Sequence, residues 1–433
     1  MKANSRRTAA FAVARWLATK DFPQQLLPEG PERAFVQGLV YTVIRRLRVL
    51  RKILGELVKK WPKGELEALL YVGAAQILFM DDVPDFAAVN ETVEAAKTCG
   101  NPSVAKVVNG VLRNIVRNQA EIRAAIAAEP LEVRESFPTA LVRRWRARFG
   151  EERTAALCAW HNLPAETFLA RKDGSFVKLE RGQKVAETAG YAEGEFIVQD
   201  PGTAHAVELM AVKPGDAVVD VCAAPGGKTV QLAWRGAKVT ACEVNPKRRA
   251  RLVENLQRLK LDVAVVSSLA DALEDNKRTT TRSASAVQPS TSNLQPAAFT
   301  PCLCDSVLKS EKIANRCPPP PLPSTSYLVD APCSNTGVFR RRPDARWNWT
   351  EEKLAELVKL QASILDQVAP LVPEGGTIVY STCSLEAEEN EDQVAAFLKR
   401  HPDFIQEVER FSFPPESGTD GAYAARLVRK AAC

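Results

Sequence analysis

The segment Asp220-Val221-Cys222-Ala223-Ala224-Pro225-Gly226-Gly227-Lys228-Thr229 ends a predicted strand and opens a predicted helix. Its small side chains and two glycines let the backbone come close to a ligand, with free N–H groups of the helix start aimed at it. Three ligand chemistries compete for such a turn. A phosphate loop needs G-x-x-x-x-G-K-[ST]; Gly227-Lys228-Thr229 fits its end, but Cys222 stands where the first glycine belongs. The dinucleotide pattern G-x-G-x-x-G is absent. The third ligand is S-adenosyl-L-methionine, whose amino-acid part sits against the turn while an acid ending the next strand holds the ribose hydroxyls. Glu243 closes KVTACEV 23 residues after Asp220, near the ~20 residues that separate the analogous acid in dinucleotide folds.

Two later strand ends each finish in a cysteine. Asp330-Ala331-Pro332-Cys333 closes one and Ser381-Thr382-Cys383-Ser384 closes another, so both thiols and the Asp330 carboxylate should lie along one carboxyl edge, where ligands of such sheets bind. A lone cysteine there is ordinarily a small buried hydrophobe. Two at matching strand ends beside a cofactor turn favour chemistry.

The elements that must position these residues follow from periodicity. AVVDVCA, KVTACEV, DVAVVSS, YLVDAPC and GTIVYSTC are short β-rich runs. Helix-like segments after the first two, and a helix over 351–372 capped by Thr350, predict an α/β, open doubly wound, Rossmann-like sheet over 201–433. Residues 276–326 hold 8 Ser, 6 Thr and 8 Pro and are expected to be a disordered insertion between strands. Residues 1–125 carry apolar residues at helical spacing, broken by turn signals at Pro28, Pro62-Lys63-Gly64, Asp82-Val83-Pro84 and Gly100-Asn101-Pro102, which predicts an all-α bundle. Residues 130–200, with the alternating pieces TFLAR, SFVKL and EFIVQD, read as a small α+β connector.

Composition bounds the function class. The 433 residues are 45% hydrophobic and 25% charged, which excludes a disordered, collagen-like or coiled-coil chain. No apolar run approaches the ~18 residues of a membrane span, and the first twenty residues have a helical period rather than a signal-peptide core, so a cytoplasmic protein is expected. Ten cysteines fall into no paired framework, and Cys302-x-Cys304 with Cys317 is too irregular for a structural zinc site, so no metal is expected. Residues 1–150 carry 24 Lys and Arg against 15 Asp and Glu, while the rest carry 34 against 37. The whole basic excess sits in the first third, in clusters such as Arg45-Arg46-x-Arg48 with Arg51-Lys52 and Arg143-Arg144-x-Arg146-x-Arg148, which would attract phosphate or simply solvate a helix face.

DVCAAPGGKT, VDAPCSNTGVFRRRPDARW and VYSTCSLEAEEN resemble, in order, the motifs of the RNA cytosine-C5 methyltransferases of the Nol1/Nop2/Sun type. The leading segment, with PDFAAVNETVEAAK and AKVVNGVLRNI, is similar to the NusB-like domain of the RsmB/Sun branch of that family. The resemblance implies methylation of a cytosine C5 in 16S ribosomal RNA, with RNA as the partner of a monomeric enzyme. Cytosine C5 is too poor a nucleophile to take a methyl group unless a thiolate first adds at C6. The resemblance assigns that addition to Cys383 and gives Cys333 the later loss of the C5 proton. Asp330 would meet the Watson–Crick edge of the flipped base and also line the cofactor site. Cys222, Ala223, Ala224, Pro225, Gly226, Gly227, Lys228 and Glu243 would hold the cofactor. Asp271 is the candidate for the adenine side, although the usual Gly-Asp is missing there, and a surface carboxylate is its alternative.

Arg340, Arg341, Arg342 and Arg346 are expected to clamp phosphates near the target base. Trp347 and Trp349 are expected in the core, and Glu386, Glu388, Glu389 and Glu391 to charge the start of the next helix. Asp420-Gly421-Ala422-Tyr423 resembles the family's D-G-F-F, with Ala422 in place of an aromatic. The same chemistry on another RNA such as tRNA, and a non-catalytic RNA-binding assembly protein, are the competing readings.

Overall fold

The computed structural model describes residues 4–99, 102–180, 182–272 and 325–431. The chain divides into two compact units, 1–165 with 338–349, and 166–337 with 350–433. The expected insertion at 276–326 lies almost wholly outside the described residues, as do Cys302, Cys304 and Cys317.

The first unit is helical. Asn4 caps helix Ser5–Thr19, its side chain accepting from the N–H of Arg6 and Arg7. Helix Glu65–Phe79 is buried on every side from Ala68 to Leu78, as its nearly uncharged sequence requires. Helix Leu47–Leu57 instead buries Leu47, Leu50 and Leu54 at helical spacing and leaves Arg51 and Lys52 outside.

Several arginines of the basic clusters do internal structural work. Arg45 is buried and donates to the Arg340 carbonyl at 2.9 Å, Arg46 pairs with Glu135 at 3.0 Å, and Arg48 donates to the Phe137 carbonyl at 2.7 Å. Each attachment ties a helix to a carbonyl or carboxylate distant in sequence.

Residues 130–200, read above as one connector, are shared between the units. Helices Leu131–Arg134 and Thr139–Asn162 belong to the helical unit, where Phe137 and Trp145 meet at 5.6 Å between ring centroids. Strands β1 (Phe168–Arg171), β2 (Phe176–Lys178) and β3 (Phe196–Val198) form an antiparallel sheet in order β2-β1-β3. Ala170 and Ile197 of that sheet share a hydrophobic cluster with Ala223, Ala224, Val230 and Leu252. The split follows from where each half can bury its apolar face.

The second unit is built on β4 (Ala217–Asp220), β5 (Lys238–Cys242), β6 (Ala264–Val266), β7 (Thr325–Asp330), β8 (Thr377–Thr382), β9 (Phe404–Ser412) and β10 (Ala422–Arg429), in order β6-β5-β4-β7-β8-β10-β9. The first five are parallel, and β10 lies antiparallel to both β8 and β9. Side chains alternate between two cores: Val219, Tyr327, Val329, Ile378 and Tyr380 face one, and Val218, Leu328 and Val379 the other. Burial on both faces is why these strands read as unbroken apolar runs. The predicted helix at 351–372 runs from Glu351 to Val368, capped by the Thr350 side chain, and gives way to a 3-10 turn at Ala369–Leu371 that contains Pro370.

Candidate active site

Register sets the site. Asp330 at the end of β7 pairs with Ser381 of β8, and Asp220 at the end of β4 pairs with Ala241 of β5. The parallel strands therefore deliver Asp220, Glu243, Asp330 and Cys383 to one carboxyl edge, as the sequence spacing predicts.

At the β4 turn, Gly226 adopts φ +107°, a region costly for other residues, and a Cβ there would lie 2.7 Å from Leu252 Cδ1. Ala223 and Ala224 are buried beside it. Asp220 is buried and its Oδ2 accepts from Thr229 Oγ1 at 2.6 Å, while Oδ1 has no hydrogen-bond partner. Burial pushes the Asp220 carboxyl up to about 7. Burial, followed by the Asp220, Asp330 and Glu243 charges, also pushes the Cys222 thiol up. Glu243 is buried, with Oε1 accepting from Asn245 N–H at 2.9 Å. Its Oε2 has no hydrogen-bond partner and lies 3.5 Å from Arg248 Nε. These orphaned acceptors, beside a turn without bulky side chains, fit S-adenosyl-L-methionine: Glu243 offers a carboxylate oxygen for hydroxyl donors, and the segment from Cys222 to Lys228 offers backbone close to the ligand.

Asp271 sits differently. Its carboxylate is exposed, accepts from Ser267 Oγ at 2.7 Å and is held below the usual carboxylate range by that hydroxyl and by Ser268. Among the described residues its hydrogen bonds run to Ser267 and Ser268 rather than to Asp220, Glu243 or Asp330.

The second half of the site holds two thiols. Cys333 Sγ and Cys383 Sγ approach to 3.2 Å. The Cys383 thiol also donates to Asn335 Oδ1 at 3.4 Å, and Asn335, at φ +61°, donates from Nδ2 to the Cys333 carbonyl at 2.8 Å. Asn tolerates that left-handed backbone. The contact with Cys383, followed by burial, pushes the Cys333 thiol well up. Asp330 Oδ1 accepts from Ser381 Oγ at 2.8 Å, and Oδ2 pairs with Lys228 Nζ at 2.6 Å. Burial lowers the Lys228 ammonium, but Asp330 beside it more than reverses this and the net shift is upward.

Sequence reasoning missed the support beneath the thiols. Glu389 does not charge a helix start; it is fully buried, accepting from Ser334 N–H at 2.8 Å and Gln361 Nε2 at 3.0 Å on Oε1, and from the Ser334 and Ser384 hydroxyls on Oε2. Burial pushes its carboxyl up, and these donors pull it back. Behind the Cys383 loop, Gly337 N–H donates to the Cys383 carbonyl and Gly421 N–H to the Gly337 carbonyl, both at 2.9 Å. The Asp420-Gly421 pair thus meets the thiol loop through its glycine.

Two of the arginines after Cys333, Arg340 and Arg346, depart from expectation. Residues 338–349 belong to the helical unit. There Arg346 is fully buried, donating to the carbonyls of Arg45, Ser136 and His161 and to Asn162 Oδ1 at 2.9 Å. Its guanidinium carbon lies 3.9 Å from the Phe137 ring centroid, and burial lowers its affinity for the proton. Arg340 is buried too and donates to the Pro164 carbonyl at 3.0 Å. Four backbone and amide acceptors hold Arg346 inward, so it is not a phosphate clamp. Trp347 packs against the helical core and donates to the Ile44 carbonyl at 2.8 Å; Trp349 is buried.

Among the described residues no group of His, Cys, Asp and Glu could hold a metal ion, and no helix is long and apolar enough to cross a membrane.

Comparison with known proteins adds an independent line. The family described as 16S rRNA methyltransferase RsmB/F matches residues 207–283 and 325–428, and the NusB family matches 3–117. Ribosomal RNA small subunit methyltransferase B of Erwinia tasmaniensis is 32% identical over 92% of this chain and 91% of its own. The protein of Synechocystis described as probable ribosomal RNA small subunit methyltransferase B is 30% identical over 89% and 84%. In fold, the chain is similar to the crystal structure of PH0851, with a TM-score of 0.71 at 21% identity over 98% of each chain. A methyltransferase homolog protein from Pyrococcus horikoshii gives 0.52 at 19% identity over 70% of this chain and 98% of its own. With its helical head, its sheet and the motifs along that sheet's carboxyl edge all matched, the chain belongs to the RsmB/F family of 16S ribosomal RNA methyltransferases, carrying a NusB-family domain at its head.

Proposed function

We propose that this chain methylates C5 of a cytosine in 16S ribosomal RNA through a transient bond between Cys383 and C6. The observation that carries the reading is the 3.2 Å approach of the Cys333 and Cys383 sulfurs beside the Asp330 carboxylate at one sheet edge. Bound S-adenosyl-L-methionine supplies an electrophilic methyl group; Glu243 and the turn from Cys222 to Lys228 would hold it, Asp330 would line its site, and Asp271 is proposed for its adenine side. The Asp220, Glu243 and Asp330 carboxylates crowding that turn suit a cationic sulfonium.

In the proposed chemistry the Cys383 thiolate adds to C6 of a cytosine turned out of its stack, and the electron pair of the C5–C6 double bond becomes available at C5. Asp330, held by Lys228 and Ser381, meets the Watson–Crick edge of the base, accepting from its N4 amino group and, as the carboxylic acid, donating its proton to N3, where negative charge builds on addition. Once C5 carries the methyl group, the Cys333 thiolate takes the C5 proton, and the released pair restores C5–C6 as the Cys383 sulfur leaves. One sulfur cannot both stay bonded to C6 and remove that proton, so two adjacent thiols suit the two steps. The NusB-family helical unit would supply RNA affinity.

The test is transfer from labelled S-adenosyl-L-methionine to small-subunit ribosomal RNA, with the modified position mapped. Label on cytosine C5 is expected. Label on a ring nitrogen or a ribose, or on tRNA alone, overturns the reading.

A further inference from the structure

We propose that Glu389 is a positioning residue for both thiols, its buried carboxylate tying the Cys333 turn to the Cys383 turn so that the sulfurs keep their mutual approach. The inference rests on the two-thiol reading above and adds the group that sets their geometry.

Both cysteines are gripped from either side. Gln361 Nε2 donates at 2.9 Å to the carbonyl of Pro332, just before Cys333, and at 3.0 Å to Glu389 Oε1. The same Oε1 accepts from the N–H of Ser334, just after Cys333. On the other loop, Thr382 Oγ1 donates to Asn390 Oδ1 at 2.6 Å, Asn390 Nδ2 donates to the Ser384 carbonyl at 2.9 Å, and Ser384 Oγ donates to Glu389 Oε2. Ser334 Oγ reaches that same Oε2 and lies 3.1 Å from Ser384 Oγ. A single carboxylate thus joins residues 334 and 384, each the direct neighbour of a thiol.

The donors explain the residue type. Two hydroxyls, one backbone N–H and one amide N–H converge on it, and a carboxylate accepts from all four, whereas an amide in its place must reverse both hydroxyl bonds, turning its own N–H groups toward the Ser334 and Ser384 oxygens. All four are neutral, and among the described residues no ion pair involves Glu389. An ionised group buried without a counter-charge is costly to keep. Tyr380, on β8, donates to the Glu389 carbonyl at 2.6 Å, which fixes the turn carrying it.

The experiment uses the full chain and the variants Glu389→Gln and Ser384→Ala. Three quantities are read: the steady-state kcat and KM for ribosomal RNA, the rate of covalent trapping by 5-fluorocytosine-containing RNA, and the rate at which dibromobimane bridges Cys333 and Cys383. Bridging depends on thiol separation and needs neither RNA nor methyl donor. Because sub-ångström placement governs such steps, kcat and trapping are expected to fall about 10- to 100-fold in Glu389→Gln, with KM within about twofold and bridging slowed in both variants. Removing the Glu389 charge also eases ionisation of Cys333, so the pH profile of adduct release should move to lower pH in Glu389→Gln.

Unchanged kcat and bridging in Glu389→Gln overturn the proposal. So does loss of the cooperative melting transition in that variant, which makes Glu389 a folding residue. Failure of the wild-type chain to trap 5-fluorocytosine-containing RNA sinks the two-thiol reading instead, and the bridging rates keep the two failures distinct.

Discussion

Cys333 Sγ lies 3.2 Å from Cys383 Sγ although 50 residues separate them in the chain. Each follows a parallel strand, and β7 and β8 are direct neighbours with Asp330 opposite Ser381. The turns after paired residues therefore meet above the sheet.

That pairing separates the two thiols by experiment. Cys383→Ala should abolish methyl transfer and the covalent complex with 5-fluorocytosine-containing RNA. Cys333→Ala should still form an adduct with unmodified RNA and accumulate it, because addition remains while proton removal fails. Gel-shift of denatured protein–RNA complexes reads both outcomes. The reverse pattern would exchange the roles of the two residues.

Gly337 tests how tightly the Cys383 loop is held. A Cβ at this position would sit 2.7 Å from the Cys383 and Gly421 carbonyl oxygens and 2.8 Å from Gly421 Cα. All three are backbone atoms, so no rotamer change relieves the clash. Gly337→Ala is expected to cost about 1–3 kcal/mol of stability by urea unfolding and to slow trapping by 5-fluorocytosine-containing RNA more than it weakens cofactor binding. Wild-type stability and trapping in this variant would show that the loop tolerates displacement.

The sheet and its chemistry-bearing ends were legible because a strand buried on both faces leaves an apolar run, and its carboxyl end is where the pattern stops at Asp220, Glu243, Asp330 and Cys383. β9 was not legible. Only Phe404 and Ser412 at its ends are buried, so neither an apolar run nor a clean alternation marks it. Glu389 was hidden differently: four glutamates between 386 and 391 look alike in sequence, and tertiary structure alone decides which one meets Ser334 and Ser384. Arg340 and Arg346 misled because charge announces affinity for phosphate, whereas the carbonyls that capture them, of Pro164 for one and of Arg45, Ser136 and His161 for the other, come from distant positions.

Asp220 predicts a pH dependence of stability. Its carboxyl is pushed to about 7 in the fold, against about 3.9 in an unfolded chain. Between those values the native state holds the extra proton, so this group's contribution to stability falls as pH rises from about 4 to about 7. At full ionisation the loss is on the order of 4 kcal/mol. Asp220→Asn removes it. In urea unfolding without added S-adenosyl-L-methionine, the stability of the variant relative to wild type should therefore rise from pH 4.5 to about pH 7 and level off above it. A difference that stays flat or shrinks over that range would place the Asp220 carboxyl in the ordinary acid range.

Arg346 distinguishes a structural arginine from a phosphate clamp. Arg346→Met keeps the bulk beside Phe137 but leaves the Arg45, Ser136 and His161 carbonyls and Asn162 Oδ1 without their donor. Buried acceptors stripped of a partner cost about 1–3 kcal/mol each, so a loss of at least about 3 kcal/mol is expected in urea unfolding followed by the helical signal. A clamp would behave otherwise: stability would hold, and the slope of RNA affinity against salt would drop by roughly one counterion. Both quantities come from one purified variant, and only a large destabilisation agrees with a guanidinium enclosed by the helices that precede it in the chain.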